Sequence, residues 1–150
     1  MKKGLIILGS IVVLIVGYLF WYYTSSADDE IHLLPKDFTG IVIIRFNAEN
    51  GKEELYEDGK RVYEIPANGI LDTKFDVNDG WSDFPKLYYL ENGKRTQIPS
   101  KHKIYSMEVG VAVSDITNKD VSFYSYILCK EKDQDSLFTV RERMNVADAK

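Results

Sequence analysis

Hydrophobic and polar positions divide the chain into two regimes. No charged residue occurs from Gly4 to Tyr23, and twenty residues at about 1.5 Å rise each make a helix of roughly 30 Å, the thickness of a bilayer's hydrocarbon core. After residue 30 the pattern becomes short runs rich in Val, Ile, Tyr, Phe and Thr, separated by turn residues. Five glycines follow Asn or Asp, at Asn50-Gly51, Asp58-Gly59, Asn68-Gly69, Asp79-Gly80 and Asn92-Gly93, spaced 8, 10, 11 and 13 residues apart. Asn and Gly tolerate the positive φ of tight hairpin turns. Turn signals at this spacing predict an antiparallel all-β domain. The fold expected is a β-sandwich of seven to ten strands, immunoglobulin-like or transthyretin-like in general shape, preceded by one N-terminal transmembrane helix.

Strands are expected over residues 31–34, 40–47, 53–57, 60–65, 70–77, 86–91, 94–98, 103–114 and 121–130. The run Ile41-Val42-Ile43-Ile44 is apolar on both faces, which suits a central strand covered on both sides. Residues 103–114 alternate most cleanly. Tyr105, Met107, Val109, Val111 and Val113 fall on one face, with Ser106, Glu108, Gly110, Ala112 and Ser114 on the other, as a half-exposed strand requires. Pro35, Pro66, Pro85 and Pro99 lie between these runs, consistent with proline's missing ladder donor. The run Leu137-Phe138-Thr139-Val140 reads as a last strand in preference to a short helix.

The flanks of the apolar segment orient it. Lys2 and Lys3 precede it and Asp28, Asp29 and Glu30 follow, so the N-terminus is expected in the cytoplasm and the remainder outside a bacterial cytoplasmic membrane. Tyr18, Phe20, Trp21, Tyr22 and Tyr23 crowd the distal end, where amphipathic rings suit the headgroup region. The rival is a signal peptide cleaved after Ala27, in the small-residue run Ser25-Ser26-Ala27, giving a secreted product. Twenty apolar residues exceed the roughly 7–15 of a signal peptide's core. The expected organisation is therefore a membrane anchor and short tether over residues 1–27 and one extracytoplasmic domain over residues 28–150.

Beyond residue 27 lie seventeen basic and twenty-three acidic residues, a net charge of −6. That balance excludes nucleic acid and anionic lipid as docking partners, since both need a basic face. The only cysteine, Cys129, permits no internal disulfide and sits in the apolar run Tyr126-Ile127-Leu128-Cys129, where a buried inert thiol is expected.

The stretch Leu33-Leu34-Pro35-Lys36-Asp37-Phe38-Thr39-Gly40, followed by Ile43-Ile44-Arg45-Phe46-Asn47, resembles a family of small exported bacterial proteins, the domain-of-unknown-function family numbered 6843. The likeness continues through Gly59-Lys60-Arg61-Val62-Tyr63-Glu64-Ile65-Pro66-Ala67-Asn68-Gly69-Ile70-Leu71, Tyr88-Tyr89 and Gly93-Lys94-Arg95-Thr96. It covers about residues 31–100, implies an envelope protein, and brings no activity.

Motifs for chemistry are sparse. No G-x-S-x-G elbow, H-E-x-x-H pair or local Cys–His signature occurs, so no catalytic residue and no cofactor is assigned. The two histidines, His32 and His102, are expected at the surface. Asp76, Asn78, Asp79 and Asp83 bunch oxygen ligands as calcium prefers, but glycine stands fifth instead of sixth and no glutamate closes the loop at the twelfth place. Ligand or partner candidates are the rings of Trp81, Tyr88 and Tyr89 and the guanidinium groups of Arg61 and Arg95. Tyr88 and Tyr89, adjacent in a strand, must point to opposite faces. The functional expectation is a membrane-tethered, non-catalytic binding or assembly module of the envelope, with a protein or glycan partner. Its competitors are a glycan-acting enzyme using a carboxylate pair and an accessory subunit of a membrane complex.

Overall fold

The computed structural model describes residues 2–24, 27–80 and 82–150, with side chains omitted for residues 2–9 and 23–24. It divides into two compact units, residues 1–28 with 78–82, and residues 29–77 with 83–150. The first holds helix α1 (Lys2–Thr24). Within it the Asn78 amide accepts from the Asp28 N–H at 3.0 Å and donates to the Asp28 carbonyl at 2.8 Å. The described side chains of α1, Ser10 to Tyr22, include exposed Val13, Leu14, Phe20 and Trp21. Among the described residues no helix is long and apolar enough to cross a membrane.

The second unit is a β-sandwich of two mixed sheets. A five-stranded sheet runs β3 (Tyr56–Glu57), β4 (Lys60–Glu64), β1 (Glu30–Pro35), β6 (Lys86–Glu91), β7 (Lys94–Gln97). A four-stranded sheet runs β5 (Ile70–Asp72), β2 (Gly40–Arg45), β9 (Asp120–Cys129), β8 (Lys103–Val113). The antiparallel expectation is corrected here: β1 pairs in parallel with both β4 and β6, and β2 with β5, unlike the two antiparallel sheets of an immunoglobulin sandwich. The reason lies in the turns. Asp58-Gly59 and Asn92-Gly93 have positive φ at both residues and close the β3–β4 and β6–β7 hairpins. Asn68-Gly69 instead lies on the path between the sheets, where the Gly69 carbonyl accepts from the Ile43 N–H and its Cα presses so closely on the Ile41 carbonyl that a Cβ would collide with it.

Alternation along β1 sends His32 and Leu34 into the sandwich and Ile31 and Leu33 outward. The inner core joins Leu34, Val42, Ile44, Tyr63, Leu71, Phe75, Tyr89, Tyr126 and Leu128, and burying each such side chain contributes about 1.5–3 kcal/mol. Outward-facing Ile31, Leu33 and Val62 form a second cluster with Tyr88 and Leu90. Arg95 of β7 and Glu57 of β3 stand at opposite edges of this sheet yet make a bidentate pair at 2.7 and 2.6 Å. The sheet is therefore curled until its edges meet across the second cluster.

The outer face of the four-stranded sheet carries a third cluster, Ile43, Phe123 and Val146 with Ile41, Ala112 and Met144. The expected strand at residues 137–140 is a helix instead, α2 (Gln134–Glu142), entered through a 3-10 turn at Glu131–Asp133. Tertiary contacts fix it: Arg141 reaches Ser125 on β9 and Glu108 on β8, at 3.2 and 2.5 Å. The chain end is held by Arg45, whose guanidinium donates to the carbonyls of Ala147 and Ala149 while pairing with Asp72.

Candidate functional site

Four strands form the sheet edges, and three are blunted. β3 has two residues, β5 three, and β7 carries Lys94 and Arg95. Short or charged edges discourage pairing with another chain. β8 differs, being eleven residues long.

A bulge between Tyr105 and Glu108 shifts its register against β9, with Ser106 at φ 50°. That bulge corrects the expected alternation. Ile104, opposite Leu128, packs on the inner core before it, whereas Val109, opposite Tyr124, lies on the inner side after it. The apolar face after the bulge is also the open one: Val109 is 67% exposed, Val111 63%, Val113 54% and Ile116, in the following turn, 71%. The opposite face is the covered one, which explains its small residues. Gly110 leaves only ordinary contact distance to the Phe123 ring, 3.4 Å from where a Cβ would stand, and Ala112 packs with Phe123 and Val146.

The main chain at this edge is open as well. The Ser114 N–H donates to the Lys119 carbonyl, and in an antiparallel ladder residues alternate between facing the partner and facing away. Even-numbered residues here turn to β9, so the polar main-chain groups of Val109 and Val111 face the free edge. At Val113 the carbonyl accepts from the Asn145 amide at 3.2 Å, which closes the edge at that end. No charge and no proline stands between Glu108 and Asp115.

An open polar cleft of about 620 Å³ lies near the end of β8, lined among others by Arg45, Glu49, Asp72, Lys119, Asp120 and Asp148. Asp148 accepts from the Ser114 hydroxyl at 2.6 Å and the Asp115 N–H at 2.7 Å. These bonds, the Ser114 hydroxyl's first, hold its carboxyl below the usual range.

A third polar group is sealed in the core. His32 is fully buried, contrary to the surface position expected of it. Its Nε2 lies 3.1 Å from a Glu30 carboxylate oxygen and its Nδ1 3.0 Å from the Tyr126 hydroxyl. Since a carboxylate only accepts, Nε2 carries a proton, and in the neutral ring Nδ1 then accepts from the Tyr126 hydroxyl. The rings of Tyr63 and Tyr124 stand edge-on to the imidazole. Their hydroxyls are buried with no hydrogen-bond partner among the described residues. Burial raises both phenols' pKa and raises that of Tyr126 well above the ordinary value.

The residues singled out from the sequence do not converge. Tyr88 packs on the second cluster. Tyr89 is buried in the core, donating to the Phe38 carbonyl and meeting His102 Nδ1, both at 3.0 Å. Arg61 stacks 5.0 Å from the Phe75 ring centre and donates to the Asp76 carbonyl. Arg95 is taken by Glu57, whose carboxyl this hydrogen bond keeps below the usual range. Trp81 lies outside the described residues. For calcium, no group of three metal-ligating His, Cys, Asp or Glu side chains occurs among the described residues; Asp76 and Asp83 are exposed and Asn78 is engaged with Asp28. Cys129 is buried, and burial raises its thiol pKa. The open edge of β8 was missed because period-2 alternation reveals that a strand has two faces without telling which one is covered. The signal that could have found it is the pair of small residues, Gly110 and Ala112, opposite the three valines.

No curated protein matches the chain significantly. A 2.75 Å crystal structure of a "Putative Lipoprotein from Bacillus anthracis" shares the fold, with TM-score 0.57 and 18% identity over 77% of this chain and 95% of that one. A family model matches residues 26–137, and on that match the chain belongs to the family of unknown function DUF6843.

Proposed function

We propose that the chain is a non-catalytic binding or assembly module of the bacterial envelope, anchored by α1 with its β-sandwich outside the cytoplasmic membrane and docking partners through β8. The observation that carries the docking part is the uncharged, exposed edge of β8 beside three blunted edges. The anchor rests on the uncharged run from Gly4 to Tyr23 with its flanking charges. The lipoprotein named as sharing the fold agrees with an envelope address.

The glycan-enzyme reading would draw its carboxylates from the polar cleft. A glycosidase's acid must keep its proton near neutrality. Asp148 is shifted the other way and Asp72 is held by Arg45, which leaves that reading Glu49 and Asp120 of the cleft.

Two measurements test the proposal. Protease added to spheroplasts should remove the domain and leave a short anchored stub; complete protection would reverse the topology. A photo-crosslinking side chain at Val111 should give discrete adducts in intact membranes, whereas one at Phe138 on α2 should not. Equal labelling from both positions would remove β8 as the docking element.

A further inference from the structure

From the self-complementarity of β8 we infer that its occupant is a second copy of the same strand, added antiparallel about a two-fold axis through Gly110. This rests on the docking reading above and names its partner. The open edge offers the main-chain groups of Val109 and Val111, while Asn145 already holds the Val113 carbonyl. An isologous pairing must set residue i opposite j and j opposite i. The register that pairs both strands' fully open residues places Val109 opposite Val111 of the second copy and Val111 opposite its Val109, giving four main-chain hydrogen bonds. Gly110 then meets its own counterpart at the axis, where the strands approach most closely. Glu108 faces Ala112, and Met107, inside the bulge, lies beyond the regular pairing. No like charges oppose one another, and Glu108 is already paired with Arg141 at 2.5 Å.

Moving the axis to Val111 would set Val109 opposite Val113, whose carbonyl already accepts from Asn145, and leave the Val109 N–H without a free acceptor in the pair. Moving it toward residue 108 would carry the pairing onto the bulge.

The interface is small. Met107, Val109, Val111, Val113 and Ile116 leave roughly 300–500 Å² of apolar surface, the size at which an exposed patch marks an interaction site. Two copies would bury roughly twice that, at or below the ~1,000 Å² that separates stable from transient interfaces. Association between free chains is therefore weak. Confinement of both copies to one membrane raises their effective concentration and makes a weak edge sufficient.

The test uses the full-length chain in membranes. Val109→Cys and Val111→Cys are expressed singly and together on differently tagged copies, then oxidised with copper–phenanthroline and oxygen. Both positions are exposed, so folding should survive, and trypsin resistance of the domain confirms it. Opposed residues lie about 5.5 Å apart between Cα atoms, within disulfide reach, whereas same-residue pairs in this register exceed the ~7 Å limit. The mixed dimer, which joins position 109 of one copy to position 111 of the other, should therefore exceed either same-position dimer by at least about fivefold. Same-position dimers as abundant as the mixed one would overturn the pairing. Adducts only to a protein of different mass would overturn the second copy as occupant and leave the docking reading standing. No dimer from either position, with the fold intact, would overturn the pairing, and the photo-crosslink at Val111 then decides whether the docking reading stands.

Discussion

Removing one oxygen atom from each of three core tyrosines should have unequal effects. With the imidazole neutral, Tyr126 donates to the buried Nδ1 of His32, and both residues are at most 1% exposed. Tyr126→Phe leaves that nitrogen sealed from water without a donor, at a cost of about 1–3 kcal/mol. Tyr63 and Tyr124 bury hydroxyls that have no partner among the described residues. A desolvated, unpaired hydroxyl itself costs about 1–3 kcal/mol, so Tyr124→Phe removes a penalty and should leave stability unchanged or raised by up to about 1 kcal/mol, while Tyr63→Phe, which also gives up the pull of the Arg61 guanidinium on its hydroxyl, should leave it about unchanged. Urea unfolding of the full-length chain in detergent, followed by near-ultraviolet circular dichroism of the tyrosines, separates these outcomes. With a slope of about 1–3 kcal/mol per molar urea, Tyr126→Phe should lower the midpoint by about 1 M while the other two hold or rise. If all three fall together, the two hydroxyls are satisfied by an internal water or ion, and the reasoning from unpaired groups is wrong. The double variant Tyr63→Phe/Tyr124→Phe would then show coupling through that shared partner.

Gly69→Ala should destabilise by at least about 2 kcal/mol, since a positive φ and a collision with the Ile41 carbonyl act together; Gly59→Ala, at φ 74° with open space around it, should cost only about 1 kcal/mol. Thermal unfolding compares them, and equal losses would refute the close-approach argument. Asp148 has a lowered folded-state pKa, so its contribution is present above the unfolded value of 3.8 and is lost as pH falls through the folded one; Asp148→Asn should flatten that acid limb. Burial lowers the His102 pKa from 6.5, so the fold favours its neutral form and stability declines as pH drops below about 6.5 toward the folded value. His102→Gln should abolish that slope in a pH series of unfolding midpoints. The buried thiol of Cys129 should react with maleimide at least about a hundredfold faster after unfolding than before; comparable rates would place it at the surface.

Nine strands are legible from turn chemistry and apolar runs, and β6 is bounded to the residue. Others are trimmed: the run expected over residues 53–57 pairs only at Tyr56–Glu57, and that over 70–77 only at Ile70–Asp72. Pairing direction is not legible, because an Asn-Gly step fixes a local backbone shape and not the strand it leads to. At Asn50-Gly51 the glycine serves close approach to the Thr73 backbone and closes no hairpin. The helix at α2 escapes a composition-based reading because Leu137-Phe138-Thr139-Val140 has strand composition, while Phe138 and Val140 stay exposed and polar contacts from Arg141 fix the element. Of the candidate site residues, Tyr88 and Tyr89 do occupy opposite faces, as strand geometry requires. The arginines found partners that no local pattern announces, since Glu57 lies thirty-eight residues from Arg95.

The burial of His32 points to a sharper way of reading such chains. The run Ile41-Val42-Ile43-Ile44 reads as a strand covered on both faces because it is continuously apolar, and β2 is so covered, by the inner core and by the third cluster. The run Ile31-His32-Leu33-Leu34 meets the same test at every position except one. Treating His32 as an interruption sends it to the surface; treating it as a polar insertion in a doubly covered strand makes β1 central, as it is between β4 and β6. A buried polar residue must find partners, and alternation limits where they stand. Glu30, two residues earlier, shares the face of His32, and the second partner comes from the opposing sheet, where the hydroxyl of Tyr126 supplies it. One histidine thereby ties β1 to β9 across the sandwich. That pairing links elements ninety-four residues apart, which hydrophobic burial alone would have left free to slide.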